Sequence, residues 1–271
     1  MQTADRPSTT APAHADALAT LAGASPNERA AAVVAMLAAL KPDRRLVLGA
    51  IGGVGAVLDD MALPGARMPS ADLVGAKVRR ADLRRADLEG ADLRGADLGG
   101  ARLGRAVLAT ANLGGAELAE TDLTGADLSK ANLGKALCEE ACFAGAKLRF
   151  ADLRAAACEQ AKFLRADLWG ADLTGAECGR ADFRRAVLTE ASACGTDFRG
   201  ADLRGANLTR ADFRGADLSR ADVRGAHVVG ADFRGANLQH ARHDGLDLTA
   251  VALEGDRLAG ARLEGARLEW L

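Results

Sequence analysis

The residues of this chain that could do chemistry are few and regularly spaced. Cys138, Cys158 and Cys178 follow one another at intervals of 20 residues, and Cys142 and Cys194 lie close by in sequence. Cysteines gathered in space can hold a metal or form a disulfide. His240 and His243 form a His-x-x-His pair, a second candidate for a metal. Carboxylates are plentiful, yet no Gly-rich phosphate loop, nucleophile elbow or metal signature accompanies them. Whether any of these groups meet depends on the elements that carry them.

Those elements are set by a five-residue repeat. From Ala56 the chain divides into AVLDD, MALPG, ARMPS, ADLVG, AKVRR, ADLRR, ADLEG and so on, and the frame runs to Trp270 without insertion or deletion. Of the 43 units, 37 begin with Ala and 34 carry Leu or Phe third, so the apolar positions have a period of five. Asp or Asn is frequent second, and Gly or Arg dominates the fifth position. An α-helix does not fit, because five residues advance roughly 500° and spread the large side chains around every side. Repeated Gly would also cost about 1 kcal/mol each in a helix. A flat strand fails too, because an odd period flips the apolar set from face to face. A corner in every unit resolves the conflict. Ala and the third residue then point inward, the other three point outward, and Gly suits the corner because it tolerates positive φ.

The A(D/N)LXX pattern resembles the pentapeptide repeat family, over about four-fifths of the chain. The resemblance implies an all-β solenoid, a right-handed quadrilateral β-helix with four pentapeptides per coil. That makes about 10.75 coils and a rod about 50 Å long at the ~4.8 Å spacing of adjacent strands. Residues 20 apart should then stack. One side carries Leu118, Cys138, Cys158, Cys178 and Phe198, and the next carries Leu123, Phe143, Phe163, Phe183 and Leu203. Three coils pair a small Cys with a large Phe, and Ala193 is followed by Phe198, a compensation that holds core volume constant. The cysteine ladder therefore reads first as core packing, with metal or disulfide chemistry as the alternative. Cys142 and Cys194 should face outward on different sides. His240 should face out and His243 in, which argues against a shared metal. No metal, cofactor or catalytic residue is expected, and a filled interior leaves no room for a substrate pocket.

The residues before the repeat differ in kind. Residues 1–24 read as a disordered or short-helical tail, 25–55 as a helical cap, and 56–271 as the β-helix. Ser25-Pro26-Asn27-Glu28 has the form of a capping box with Pro at the first helical position, and Pro42 stops the helix. This segment is either a lid over the first coil or a docking module. The opening lacks a signal-peptide pattern, and the apolar run Leu46–Leu58 is too short to span a bilayer. An odd number of cysteines, five, points to the cytoplasm. At the other end, Leu263, Leu268, Trp270 and Leu271 lack a polar cap, and the family implies a homodimer through these coils.

Function must then lie on the surface. Stacking aligns Asp72, Asp92, Asn112, Asn132, Asp152, Asp172, Asp212 and Asp232 into an acidic ladder, with Ser192 in the same column. A second acidic patch gathers Glu117, Glu120, Glu139, Glu140, Glu159 and Glu177, opposed by a basic run that includes Arg84, Arg85, Arg105, Arg165, Arg184, Arg185, Arg204 and Arg224. Several members of the family bind DNA gyrase and topoisomerase IV by resembling DNA, and protect them from quinolones or toxins. A carboxylate ladder can satisfy the basic groups that bind phosphates. The resemblance thus implies a topoisomerase-binding DNA mimic, with no direct nucleic-acid binding. The other reading is a structural scaffold whose faces bind protein partners, because the formal net charge is only −2.

Overall fold

The structure is a computed structural model that describes residues 57–243. Every pentapeptide between them has the same shape. The second residue forms a parallel bridge to the residue 20 positions on, from Val57–Lys77 to Asp222–Arg242. The fourth and fifth residues turn the chain. The N–H of each first residue donates to the carbonyl of the third residue before it, as Ala86 does to Leu83 at 2.9 Å. The fifth residue, third of the four in that turn, has positive φ, as in a type II turn. Pro64 and Pro69 take the preceding position, where a fixed φ near −65° fits. Glycine meets this demand at Gly95 (φ 60°), but Arg85 also adopts φ 60°. The closed ladder overrides the usual 1–2 kcal/mol preference against this conformation.

Four turns return the chain to its starting side, so the molecule is a four-sided β-helix of about nine described coils, roughly 45 Å long at the spacing of adjacent strands. The sides are here called face 1 (the column Val57, Lys77, Asp97), face 2 (Ala62, Asp82, Arg102), face 3 (Arg67, Asp87, Val107) and face 4 (Asp72, Asp92, Asn112). Face 1 lies opposite face 3, and face 2 opposite face 4. Each coil bonds to the next through backbone groups, such as Leu98 N–H to Glu117 carbonyl at 2.7 Å and Asp97 N–H to Ala76 carbonyl at 2.8 Å.

The interior is one continuous core of first- and third-position side chains. Cys138, Cys158, Cys178, Phe143, Phe163, Phe183 and Phe198 are all fully buried. Phe143, Phe163 and Phe183 stack on face 2 with ring centres 4.8 and 4.6 Å apart. The aromatic column then crosses to Phe198 on face 1 and on to Phe213 and Phe233 on face 4. Phe213 stacks beneath the small Ala193, and Phe233 shares its coil with the reduced Val223 and Val228. The exceptional Thr121 and Thr196 are buried, and their hydroxyls donate to the carbonyls of Leu98 at 2.8 Å and Leu173 at 2.7 Å. A polar atom is thereby accommodated in the core without an orphaned donor.

The tail 1–24, the cap 25–55 and the C-terminal residues Leu263, Leu268, Trp270 and Leu271 lie outside the described residues.

Candidate interaction surface

The residues expected to carry chemistry separate by position in the repeat. The cysteine ladder points inward, where hydrogen bonding with Cys158 and burial push the thiols of Cys138 and Cys178 well above their ordinary range. They are held protonated, as small apolar groups are. Cys142 on face 2 and Cys194 on face 4 are half-buried and on opposite sides. His240 is exposed at a corner and His243 is buried. Among the described residues no group of three His, Cys, Asp or Glu is placed to hold a metal.

The acidic ladder occupies face 4 in one bridged column. Its geometry has a local purpose that the sequence did not disclose. A second-position carboxylate or amide oxygen accepts the backbone N–H of the fourth residue of its own unit. Asp72 accepts from Val74 at 3.2 Å, Asn132 from Gly134 at 2.9 Å, Asp152 from Arg154 at 3.0 Å and Asp172 from Thr174 at 2.9 Å. Asp92, Asn112, Asp212 and Asp232 do the same for Arg94, Gly114, Arg214 and Arg234. An Asp or Asn side chain closing onto the N–H two residues on stabilises a turn. It therefore explains why the second position favours those two residues.

Where the fourth residue is Arg, the guanidinium folds back onto the same carboxylate. Arg94–Asp92, Arg154–Asp152, Arg214–Asp212 and Arg234–Asp232 lie at 2.7, 2.5, 2.7 and 2.5 Å. Arg154 and Arg214 also reach the next rungs, Asp172 at 3.7 Å and Asp232 at 3.9 Å. The Arg214 hydrogen bond holds the Asp212 carboxyl down at about 2. Five of the six ladder carboxylates, all but Asp72, thus lie in ion pairs among the described residues, and Asn132 donates to Asn112 at 2.9 Å between them. The basic run divides in the same way. Arg84, Arg184, Arg204 and Arg224 pair with Asp82, Asp182, Asp202 and Asp222 on face 2. Arg85, Arg105, Arg165 and Arg185 form no ion pair within 4.0 Å among the described residues and line the corner between faces 2 and 3. Beside them, Gly104 opens a dent on face 2 between Arg84 and Thr124.

The second acidic patch behaves differently from the ladder. Glu117 and Glu177 stand in the bridged column of face 1, with Leu137 and Ala157 between them. Glu139, Glu159, Glu120 and Glu140 take outward turn positions of the same coils. Arg79 approaches Glu117 at 3.9 Å. The other five form no ion pair within 4.0 Å among the described residues. Leu137, at the centre of the patch, is 43% exposed. Sequence reasoning identified the glutamates but not the leucine. Its signal was present, as an apolar residue at an outward position of the frame.

A second outward apolar group was also missed. Phe150 and Trp169 meet edge to face on face 3, with ring centres 4.6 Å apart. They sit at the fifth and fourth positions of adjacent coils, where the frame places polar residues.

The profile described as pentapeptide repeats matches in eight copies, over residues 54–137 and 141–255. The chain belongs to the pentapeptide repeat family. This pentapeptide repeat protein superimposes on HetL, a pentapeptide repeat protein of the cyanobacterium Nostoc sp. strain PCC 7120 involved in heterocyst differentiation regulation. The TM-score is 0.66 and the identity 32%, over 88% of this chain and 94% of HetL. QnrB1, a plasmid-mediated fluoroquinolone resistance protein, aligns at 19% identity and TM-score 0.27, over 79% of this chain and 94% of its own. A pentapeptide repeat protein of the Arabidopsis thaliana thylakoid lumen aligns at 30% identity and TM-score 0.16, over 50% of this chain and 70% of its own. No curated protein sequence matches the chain significantly. The right-handed quadrilateral β-helix of the family's solved members accounts for the four-sided winding described above.

Proposed function

We propose that this pentapeptide repeat protein is a non-enzymatic interaction rod that presents the acidic stretch of face 1 to a basic protein surface. One observation carries the reading. The carboxylates of face 4 that stand before an arginine are neutralised by it, whereas five glutamates of face 1 form no ion pair within 4.0 Å among the described residues and surround an exposed leucine. Unpaired charge attracts a partner over a longer range than paired charge does. An apolar side chain within it adds contact area that excludes water. HetL, the 32% identical relative, is involved in heterocyst differentiation regulation, and a regulatory role can be exercised through contacts alone.

DNA gyrase and topoisomerase IV are the candidate partners that the family suggests. Pairing on face 4 weighs against mimicry of phosphates along the whole rod, so face 1 would make that contact. The alternative is a scaffold with no topoisomerase role. A gyrase supercoiling assay with and without a fluoroquinolone separates the two. Inhibition or protection at low micromolar protein, lost in a Glu139→Lys, Glu140→Lys, Glu159→Lys variant, supports the topoisomerase. No effect, with no co-purifying topoisomerase, leaves the scaffold. Retention of every protein contact by the triple variant would remove face 1 from both readings. A homodimer through Leu263, Leu268, Trp270 and Leu271 belongs to the same proposal, and a monomer by light scattering at micromolar concentration would exclude it.

A further inference from the structure

Face 3, opposite the acidic patch, carries an exposed aromatic group. Of seven phenylalanines, six line the core and Phe150 is 50% exposed. It stands at φ 55° on a corner and lies over Gly170, whose missing side chain leaves it room. Trp169 packs against its ring at 4.6 Å, and the Arg149 guanidinium lies 6.0 Å from the indole centre while pairing with Asp167 at 2.6 Å. Trp and Arg beside a second aromatic ring are the side chains over-represented where binding energy concentrates at protein interfaces. The group is also pre-ordered, because each member is held by another before any partner arrives, which lowers the entropic cost of association.

The carboxylates beside this group are paired, Asp167 with Arg149 and Glu190 with Arg210 at 3.6 Å, which leaves unpaired charge of one sign among the described residues. Arg165 and Arg185 stand on the opposite edge of the same face and form no ion pair within 4.0 Å among the described residues. Arg165 and Trp169 are four residues apart, so at most ~13 Å of extended chain separates them. We propose that face 3 around Phe150 and Trp169 is a docking site for an acidic protein segment that sets an apolar side chain against the two rings and a carboxylate against Arg165 and Arg185. Charge complementarity selects the acidic partner. A single-stranded nucleic acid fits less well. Its bases need an open ring face, whereas Trp169 is engaged by Phe150 and Arg149. Its backbone needs a continuous basic track, whereas this corner is interrupted at Gly125 and Gly145. With a basic partner on face 1, the same coils would bridge two proteins from opposite sides.

The test pans a random 12-residue phage-displayed peptide library on the full chain carrying Trp270→Phe, so that Trp169 alone reports. Enriched peptides should carry Asp or Glu together with Leu, Ile, Phe or Trp, and should change Trp169 fluorescence. They should bind at least about tenfold more weakly to Trp169→Ala and to Arg165→Gln/Arg185→Gln. Trp169→Thr copies Thr189 of the next coil and should lose binding to the same extent with an unchanged thermal midpoint. The proposal is overturned if no acidic–apolar consensus emerges, or if binding survives these substitutions. It is equally overturned if a dT oligonucleotide binds with the same dependence on Trp169, or if Trp169 of the unliganded chain is already shielded from acrylamide by the protein's own terminal segments.

Discussion

Phe143 and Phe163 stack face to face, with ring centres 4.8 Å apart and planes within 1° of parallel. Their separation is the rise of one coil, so the core is filled coil by coil. Each of these rings shares its coil with a cysteine, Cys138 or Cys158. Phe163→Leu should therefore cost about 1–2 kcal/mol through the void it leaves. Cys158→Leu should cost about 1–3 kcal/mol through overpacking. The double variant should be more stable than the sum by at least ~0.5 kcal/mol, because the two changes restore volume. Urea denaturation of the four proteins measures this, and strict additivity would show that the pair does not compensate.

The Asp152 carboxylate both accepts the Arg154 N–H at 3.0 Å and pairs with its guanidinium at 2.5 Å. The turn bond is the more important of the two, because an exposed ion pair contributes only ~0–1 kcal/mol. Asp152→Ala should cost about 1 kcal/mol. Asp152→Asn keeps the acceptor and should cost less than half as much, and Arg154→Ala should stay within ~0.5 kcal/mol. Equal losses for Asp152→Asn and Asp152→Ala in chemical denaturation would reverse that ranking.

Acid should weaken the rod in a defined window. The Arg214 hydrogen bond lowers the Asp212 carboxyl to about 2, while the unfolded chain titrates near ~3.9. A depressed folded value means that the unfolded state binds the proton more readily. The contribution is therefore complete above about pH 4 and is lost as pH falls towards 2. Asp82, Asp92, Asp152 and Asp232, each hydrogen-bonded by its own Arg, are shifted the same way. Between pH 4 and 2 the urea midpoint should fall, less steeply in Asp212→Asn. A midpoint that rises on acidification would contradict this.

A Cβ added to Gly170 would lie 2.7 Å from Phe150 Cε1, at a residue with φ 63°. Gly170→Ala should cost about 1–2 kcal/mol, combining the backbone preference with displacement of the ring. Removing the ring should return part of it. Phe150→Lys, which copies Lys130 of the preceding coil, should make the Gly170→Ala penalty about 1 kcal/mol smaller. An unchanged penalty would mean that Phe150 does not rest on Gly170.

Much of this was legible in the chain. The inward positions, the Cys-for-Phe exchange and the outward placement of Cys142, Cys194 and His240 follow from the frame together with a 20-residue coil. The glutamates of face 1 and the arginines of the corner were legible as columns. Their pairing was not. Arg184 and Arg185 are neighbours in sequence, but the first folds onto Asp182 at 2.6 Å and the second forms no ion pair within 4.0 Å among the described residues. Arg184, at the fourth position, leans over its own unit, whereas Arg185, at the fifth, stands on a corner.

The five-residue period by itself determined that this protein is a corner-turning β-solenoid. Helix and flat strand each place its Leu and Ala on conflicting sides, and that conflict is independent of any long-range contact. The pattern does not say which charges are satisfied. That depends on rotamers and on neighbours 18 to 20 residues away. The tertiary structure decided that the carboxylates of face 4 close their own turns, that five glutamates around Leu137 form no ion pair within 4.0 Å among the described residues, and that Phe150 reaches Trp169 across a coil.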